Sequence, residues 1–137
     1  MANIRHLGLA GAAIAGTLAL TAAQRPSALF QAMPGMWEVS GVPGARAPIK
    51  QCLMDVAPLA RFEHRNRACS ARVISDSAAS TVVEYSCGGA GFGRSRVDFI
   101  TPRSLRIETQ GISQGLPFNY LIQARRVGDC PTTASRH

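Results

Sequence analysis

The chain has almost no lysine, no Cys-x-x-Cys pair and no internal repeat, and each shortage narrows what it can be. Of its 15 basic residues only Lys50 is a lysine, against 8 acidic ones, for a net charge of +7. Such a surface favours anionic partners, yet an arginine-rich, alanine-rich composition is also what a G+C-rich genome encodes, so charge alone is a weak functional sign. Without Cys-x-x-Cys, and with His64 alone upstream of Cys69, the spacing of a zinc site is missing. The lack of repeats, heptads and low-complexity tracts beyond the leader excludes solenoids and coiled coils. No cysteine precedes Cys52, so no lipid anchor is expected at an export cut.

What is present begins with an export signal. Arg5 and His6 give a weakly basic start, Leu7 to Leu20 is apolar and small, and Thr21, Ala22 and Ala23 supply small residues for cleavage before Gln24. Residues 1–23 therefore read as a signal peptide and 24–33 as a linker. Residues 34–130 read as a single domain and 131–137 as a disordered tail. A soluble protein without an integral membrane segment is expected after cleavage.

All four cysteines, Cys52, Cys69, Cys87 and Cys130, lie beyond the leader, and an even count in a small exported chain reads as two disulfides. The runs "CSARVIS" and "TVVEYSC" are β-branched and flank the polar turn "DSAAS". A hairpin centred on Ala78 sets Cys69 directly opposite Cys87, at a separation a disulfide accepts. Cys52 is then left for Cys130.

The rest is mostly strand. "MWEVSG" and "RAPIKQC" around "VPGA" predict a first hairpin, and one short helix is expected over "DVAPLARFEHR", capped at Asp55 and with Pro58 confined to its first turns. "GGAGFG" reads as a bend, "RSRVDFI" and "LRIETQ" as strands around the turn "TPRS", "GISQGLP" as a loop, and "FNYLIQARRV" as the last long strand. The expected fold is mainly β: a curved antiparallel meander of about seven strands in sequential hairpins, with one short helix and two disulfide staples.

The chemical candidates are few. "GISQG" matches the Gly-x-Ser-x-Gly elbow of hydrolases, with Asp129 and His137 following Ser113. No helix follows that serine, however, and the histidine ends a tail, so Ser113 is expected to carry no covalent chemistry. "GGAGFG" lacks the third glycine of a dinucleotide loop, Arg94 standing in its place. "GFGRSRVDF", with Phe92 and Phe99, is only faintly like an RNA-binding strand, and no nucleic acid is expected. His64 reads as a solvated residue at the helix end, Arg61, Arg65 and Arg67 as a solvated basic patch, and Trp37 as a core anchor.

"PGMWEVS", the pair Cys52 and Leu53, the central Cys69 and Cys87, and the closing "ARRVGDC" resemble a family of exported proteobacterial proteins classed as a domain of unknown function. Its members are similar in a signal peptide, a Gly-[Leu/Met]-Trp-Glu opening, four cysteines and a closing basic-x-Gly-Asp-Cys. The likeness covers nearly the whole chain after the leader, but this chain is shorter between Trp37 and Cys52, where the family often carries a Met- and Pro-rich loop. The resemblance implies a periplasmic address and a β-rich fold, and assigns no catalytic residue; Gly35, Trp37, Glu38, Gly128 and Asp129 read as structural motif positions. The expected function is a non-enzymatic binding or envelope accessory module, needing no cofactor, whose partner is an apolar or anionic small molecule or an envelope protein. The alternative is a hydrolase-like enzyme whose groups, such as Glu108 with Asp98 or Ser113, converge only in the fold.

Overall fold

The computed structural model describes residues 28–132; the expected leader and residues 133–137 of the tail lie outside them. Seven antiparallel strands form one open, curled sheet: β1 (Gly35–Ser40), β2 (Ile49–Leu53), β3 (Ser70–Asp76), β4 (Ser80–Ser86), β5 (Gly91–Thr101), β6 (Ser104–Ser113) and β7 (Leu116–Gly128). The strand order is β2-β1-β7-β6-β5-β4-β3. Strands β3 to β7 follow one another as hairpins, and the β1–β2 hairpin joins at β7. The expected chain of sequential hairpins breaks once, between β2 and β3, which lie at opposite edges of the sheet.

That break builds the core. The chain from Leu53 must cross a whole sheet face to reach Ser70, and it does so through a 3-10 helix, Ala57–His64, kinked at Arg61. Asp55 acts just ahead of this helix: its carboxylate accepts the Ala57 N–H at 2.9 Å, while the N-cap position itself is Val56. Leu59, Ala60 and Phe62 pack with Trp37, Val39, Val83, Val97, Leu105, Ile107, Ile122 and Ala124 in one buried cluster. Alternation along each strand puts those residues on the inner face and leaves Glu38, Glu84, Arg94, Arg96, Arg106, Glu108 and Arg125 on the outer one.

Both disulfides form as the spacing predicted. In the β3–β4 hairpin Ser70 faces Ser86 and Val73 faces Val83, and the register continues to Cys69 and Cys87, whose Cα atoms lie 4.1 Å apart. A bulge at Ile74 shifts the pairing nearer the turn. Cys52 and Cys130 are bridged across Met36, which is paired with Cys52 on one side and Gly128 on the other. Two such bridges point to an oxidising, extracytoplasmic setting. Among the described residues no helix is long and apolar enough to cross a membrane.

Two local expectations are corrected. "GISQGLP" is not a loop: β6 and β7 run through it to a two-residue turn, Gln114 and Gly115, with φ of 51° and 79°. Positive φ at both positions suits the right-handed twist of a tight hairpin, and Gln114 accepts a conformation for which glycine is the usual choice. His64 is not solvated; it is only 3% exposed. The helix lies across the sheet rather than at its rim, so its last turn meets β4 and the bend before β5. Of the expected linker, residues 28–33 are tied to the sheet through Ala28 N–H to the Ser77 carbonyl and Met33 N–H to the Pro102 carbonyl.

Candidate functional site

Among the described residues, three places bring together the side chains that carry chemistry. The first is a clasp made by the opening and closing motifs. Arg126 donates from Nε to the Pro34 carbonyl at 2.7 Å and pairs through Nη2 with Asp129. Gly35 sits at φ 149°, where a Cβ would fall 2.5 Å from Arg126 Nε and 2.6 Å from the Gly128 carbonyl oxygen, so any side chain would force the clasp open. Trp37, wholly buried, donates its indole N–H to the Met33 carbonyl at 3.0 Å, and Glu38 stands between Lys50 and Arg125 in the register. The motif residues thus hold the start of β1 to the end of β7 and offer no open site.

The second is a buried polar chain under the helix. Ser95 donates its hydroxyl to Thr109 Oγ1 at 2.8 Å, and Thr109 hydrogen-bonds Tyr85. Tyr85 Oη lies 3.4 Å from His64 Nδ1, and His64 Nε2 lies 3.0 Å from the Ala90 carbonyl. A carbonyl only accepts, so Nε2 donates to Ala90, and Nδ1 faces the Tyr85 hydroxyl. Gly93 and Gly91 make room for this chain: a Cβ at Gly93 would overlap the Tyr85 phenol, and one at Gly91 would come within 3.0 Å of His64 Nε2. Nearby, the Tyr120 hydroxyl donates to Glu63 Oε2 at 2.8 Å. Arg61 and Arg65 of the expected basic patch are spent locally, on the carbonyls of Arg67 and Phe62, and Arg65 also covers the Phe62 ring. Every buried side-chain donor and acceptor described is satisfied, the mark of a structural network rather than a waiting site.

This network makes stability sensitive to alkali. Burial, with the Glu63 hydrogen bond and charge adding to it, pushes the Tyr120 phenol well above its ordinary value; burial raises Tyr85 too, partly offset by the Thr109 hydrogen bond. A phenol that keeps its proton longer when folded contributes stability that is complete below the unfolded value near pH 10 and is lost as pH rises beyond it. Urea midpoints measured between about pH 8 and about pH 11 should fall steeply at the upper end, and Tyr120→Phe should flatten that fall. Equal slopes in the two proteins would remove Tyr120 from this role.

The third place is a trough of about 820 Å³ on the outer face. Its floor is the row Ala71, Tyr85, Gly93, Gly111 and Phe118, which face one another across five strands and turn their side chains inward. One wall is the outward row Arg72, Glu84, Arg94, Gln110 and Asn119; the other is Ser70, Ser86, Phe92 and Ile112. The trough therefore runs across the strands, about 19 Å from β3 to β7 at the usual strand spacing. Gly93 faces Gly111, and a Cβ on Gly111 would enter the backbone of Phe92 and Gly93, so the strands meet here as closely as only glycine allows. Phe92 is 54% exposed beside its partner Ile112. Glu84 sits between two guanidiniums, 2.6 Å from Arg72 and 3.7 Å from Arg94.

The hydrolase candidates do not meet. Ser113 opens onto the β6–β7 turn, facing Gly91 and Leu116, whereas Asp129 lies beyond the far end of the 13-residue β7, on the order of 40 Å of strand away. His137 is outside the described residues. Asp98 and Glu108 share the outer face but are held by Arg96 at 2.9 Å and Arg106 at 3.1 Å. Among the described residues no cluster of His, Cys, Asp or Glu is placed to hold a metal ion. The trough residues escaped the sequence reading, although a signal was there: Phe92 and Ile112 are apolar residues in the polar phase of two alternating strands, Phe92-x-Arg94-x-Arg96 and Glu108-x-Gln110-x-Ile112. No known protein family, curated protein or solved structure matches this chain.

Proposed function

We propose that the protein is an exported, non-catalytic binding module that takes a small, partly apolar ligand in the outer-face trough. The observation that carries this is the trough itself, whose volume falls within the roughly 300–1,000 Å³ common for small-molecule sites and whose one wall sets the exposed Phe92 beside the partly exposed Ile112. A binding role fits better than a hydrolytic one because the one carboxylate of the trough, Glu84, is held by Arg72, and the hydrolase candidates Ser113, Asp98 and Glu108 do not line it. Export rests on the leader-like stretch from Leu7 to Leu20 and on the two disulfides. The likeness to exported proteins rests on the opening and closing motifs, which in this chain meet in one clasp.

The test uses N-phenyl-naphthylamine, a neutral apolar fluorophore. Its binding should saturate at one site, and the double variant Phe92→Ser/Ile112→Ser should weaken it about tenfold or more by removing the apolar wall. Both side chains lie outside the core, so circular dichroism of the variant should be unchanged. Non-saturating binding, or equal binding by the variant, would exclude the trough.

A further inference from the structure

We infer that the trough is built for an anionic amphiphile, a single carboxylate-type head on an apolar chain, with the head at Arg94 and the chain along Phe92 and Ile112. This rests on the trough being the binding site and names the class of ligand it takes. The lining changes character along its length. The β3 and β4 end carries the hydroxyls of Ser70 and Ser86 and the Arg72–Glu84 pair; the β5 and β6 stretch carries Phe92 and Ile112, and the opposite wall there ends in the amides of Gln110 and Asn119. A ligand polar throughout would leave the apolar wall uncovered, and one apolar throughout would strip water from guanidiniums without replacing it.

The charge distribution selects the sign of the head. Two guanidiniums face one carboxylate, so the wall holds one positive charge in excess. The two arginines are not equivalent. Arg72 spends Nε and Nη2 on Glu84 Oε2, at 3.1 and 2.6 Å. Arg94 reaches Glu84 only as an ion pair, at 3.7 Å, beyond hydrogen-bond distance, and is 51% exposed. Its planar fork of N–H groups is therefore unspent and stands across the trough from Phe92, on the same strand. A carboxylate accepts such a fork through both oxygens, while a cationic head would be repelled by the surplus charge.

Displacement of the naphthylamine probe from the full oxidised protein reads this directly, with dodecanoate, dodecanol, dodecyltrimethylammonium and acetate as competitors, each below its aggregation threshold. Dodecanoate should bind about tenfold or more tightly than the alcohol or the cation, and acetate should not compete. Arg94→Gln should erase that preference, and Arg94→Lys should restore part of it. Equal affinity for the three dodecyl compounds, or a preference that survives Arg94→Gln, would overturn the head assignment while the trough kept its probe. Binding of the protein to anionic phospholipid vesicles without uptake of dodecanoate would replace the free amphiphile by a membrane surface and equally overturn it. If the neutral probe itself fails to bind, the trough reading falls as well.

Discussion

Replacing Cys52 and Cys130 together by alanine should lower the unfolding free energy by about 4.5 kcal/mol, the loss that chain-entropy reasoning assigns to a bridge closing a loop of 78 residues. Removing the bridge between Cys69 and Cys87, with a sequence separation of 18, should cost about 3 kcal/mol. The ordering follows from geometry as well as entropy. Cys69 and Cys87 join strands already paired in a hairpin, whereas Cys52 and Cys130 fasten the edge strand β2 and the end of β7 to each other across β1. In a domain of this size the larger loss corresponds to a fall in melting temperature on the order of 20 °C. Thermal and urea unfolding of the two double variants would measure both. A variant lacking Cys69 and Cys87 that proved the weaker of the two would mean that the β3–β4 hairpin, not the bridge from β2 to the end of β7, limits stability.

Trp37→Ala should come close to that loss, about 3–5 kcal/mol, because it empties the largest fully buried side-chain volume of the core. The ring fills the inner face where β1 meets β7, and its indole N–H also satisfies the Met33 carbonyl at 3.0 Å. Trp37→Phe separates the two contributions: it keeps most of the apolar volume, loses the hydrogen bond, and should recover more than half of the stability. Urea unfolding of the three proteins, with the slope checked for constancy, tests this. A loss below about 1 kcal/mol for Trp37→Ala would mean that the core closes over the gap and that Trp37 is not its anchor.

The hairpins were legible because their information is local. The turn "DSAAS" alone set Cys69 against Cys87, and the alternation along "RSRVDFI" and most of "FNYLIQARRV" marked both as strands. The place of β1 and β2 was not legible. Nothing within "IKQCL" says that it ends a sheet, and the neighbour of β1 lies about ninety positions away, in β7. Once β2 and β3 lie at opposite edges, the helix between them must cross the inner face. That is why His64, polar in sequence and flanked by Glu63 and Arg65, ends up buried against Tyr85 and the Ala90 carbonyl. "GISQGLP" was misread because two glycines and a proline outweighed its pairing potential, while the structure uses Gly111 to face Gly93 and Gly115 to turn. The trough belongs to no single segment: its walls come from five strands, each giving one or two residues, and among these only Phe92 and Ile112 stand out of phase in the sequence.

The most direct measurement is a nitrogen–proton correlation titration of the isotopically labelled, oxidised protein with dodecanoate. Saturable shifts should appear at Arg72, Glu84, Phe92, Arg94, Gln110, Ile112 and Asn119, lining the outer face across five strands, with the clasp around Gly35 and Gly128 unmoved. Shifts gathered instead at Glu63, His64 and Tyr120 under the helix, or none that saturate, would contradict a ligand site on the open face of the sheet.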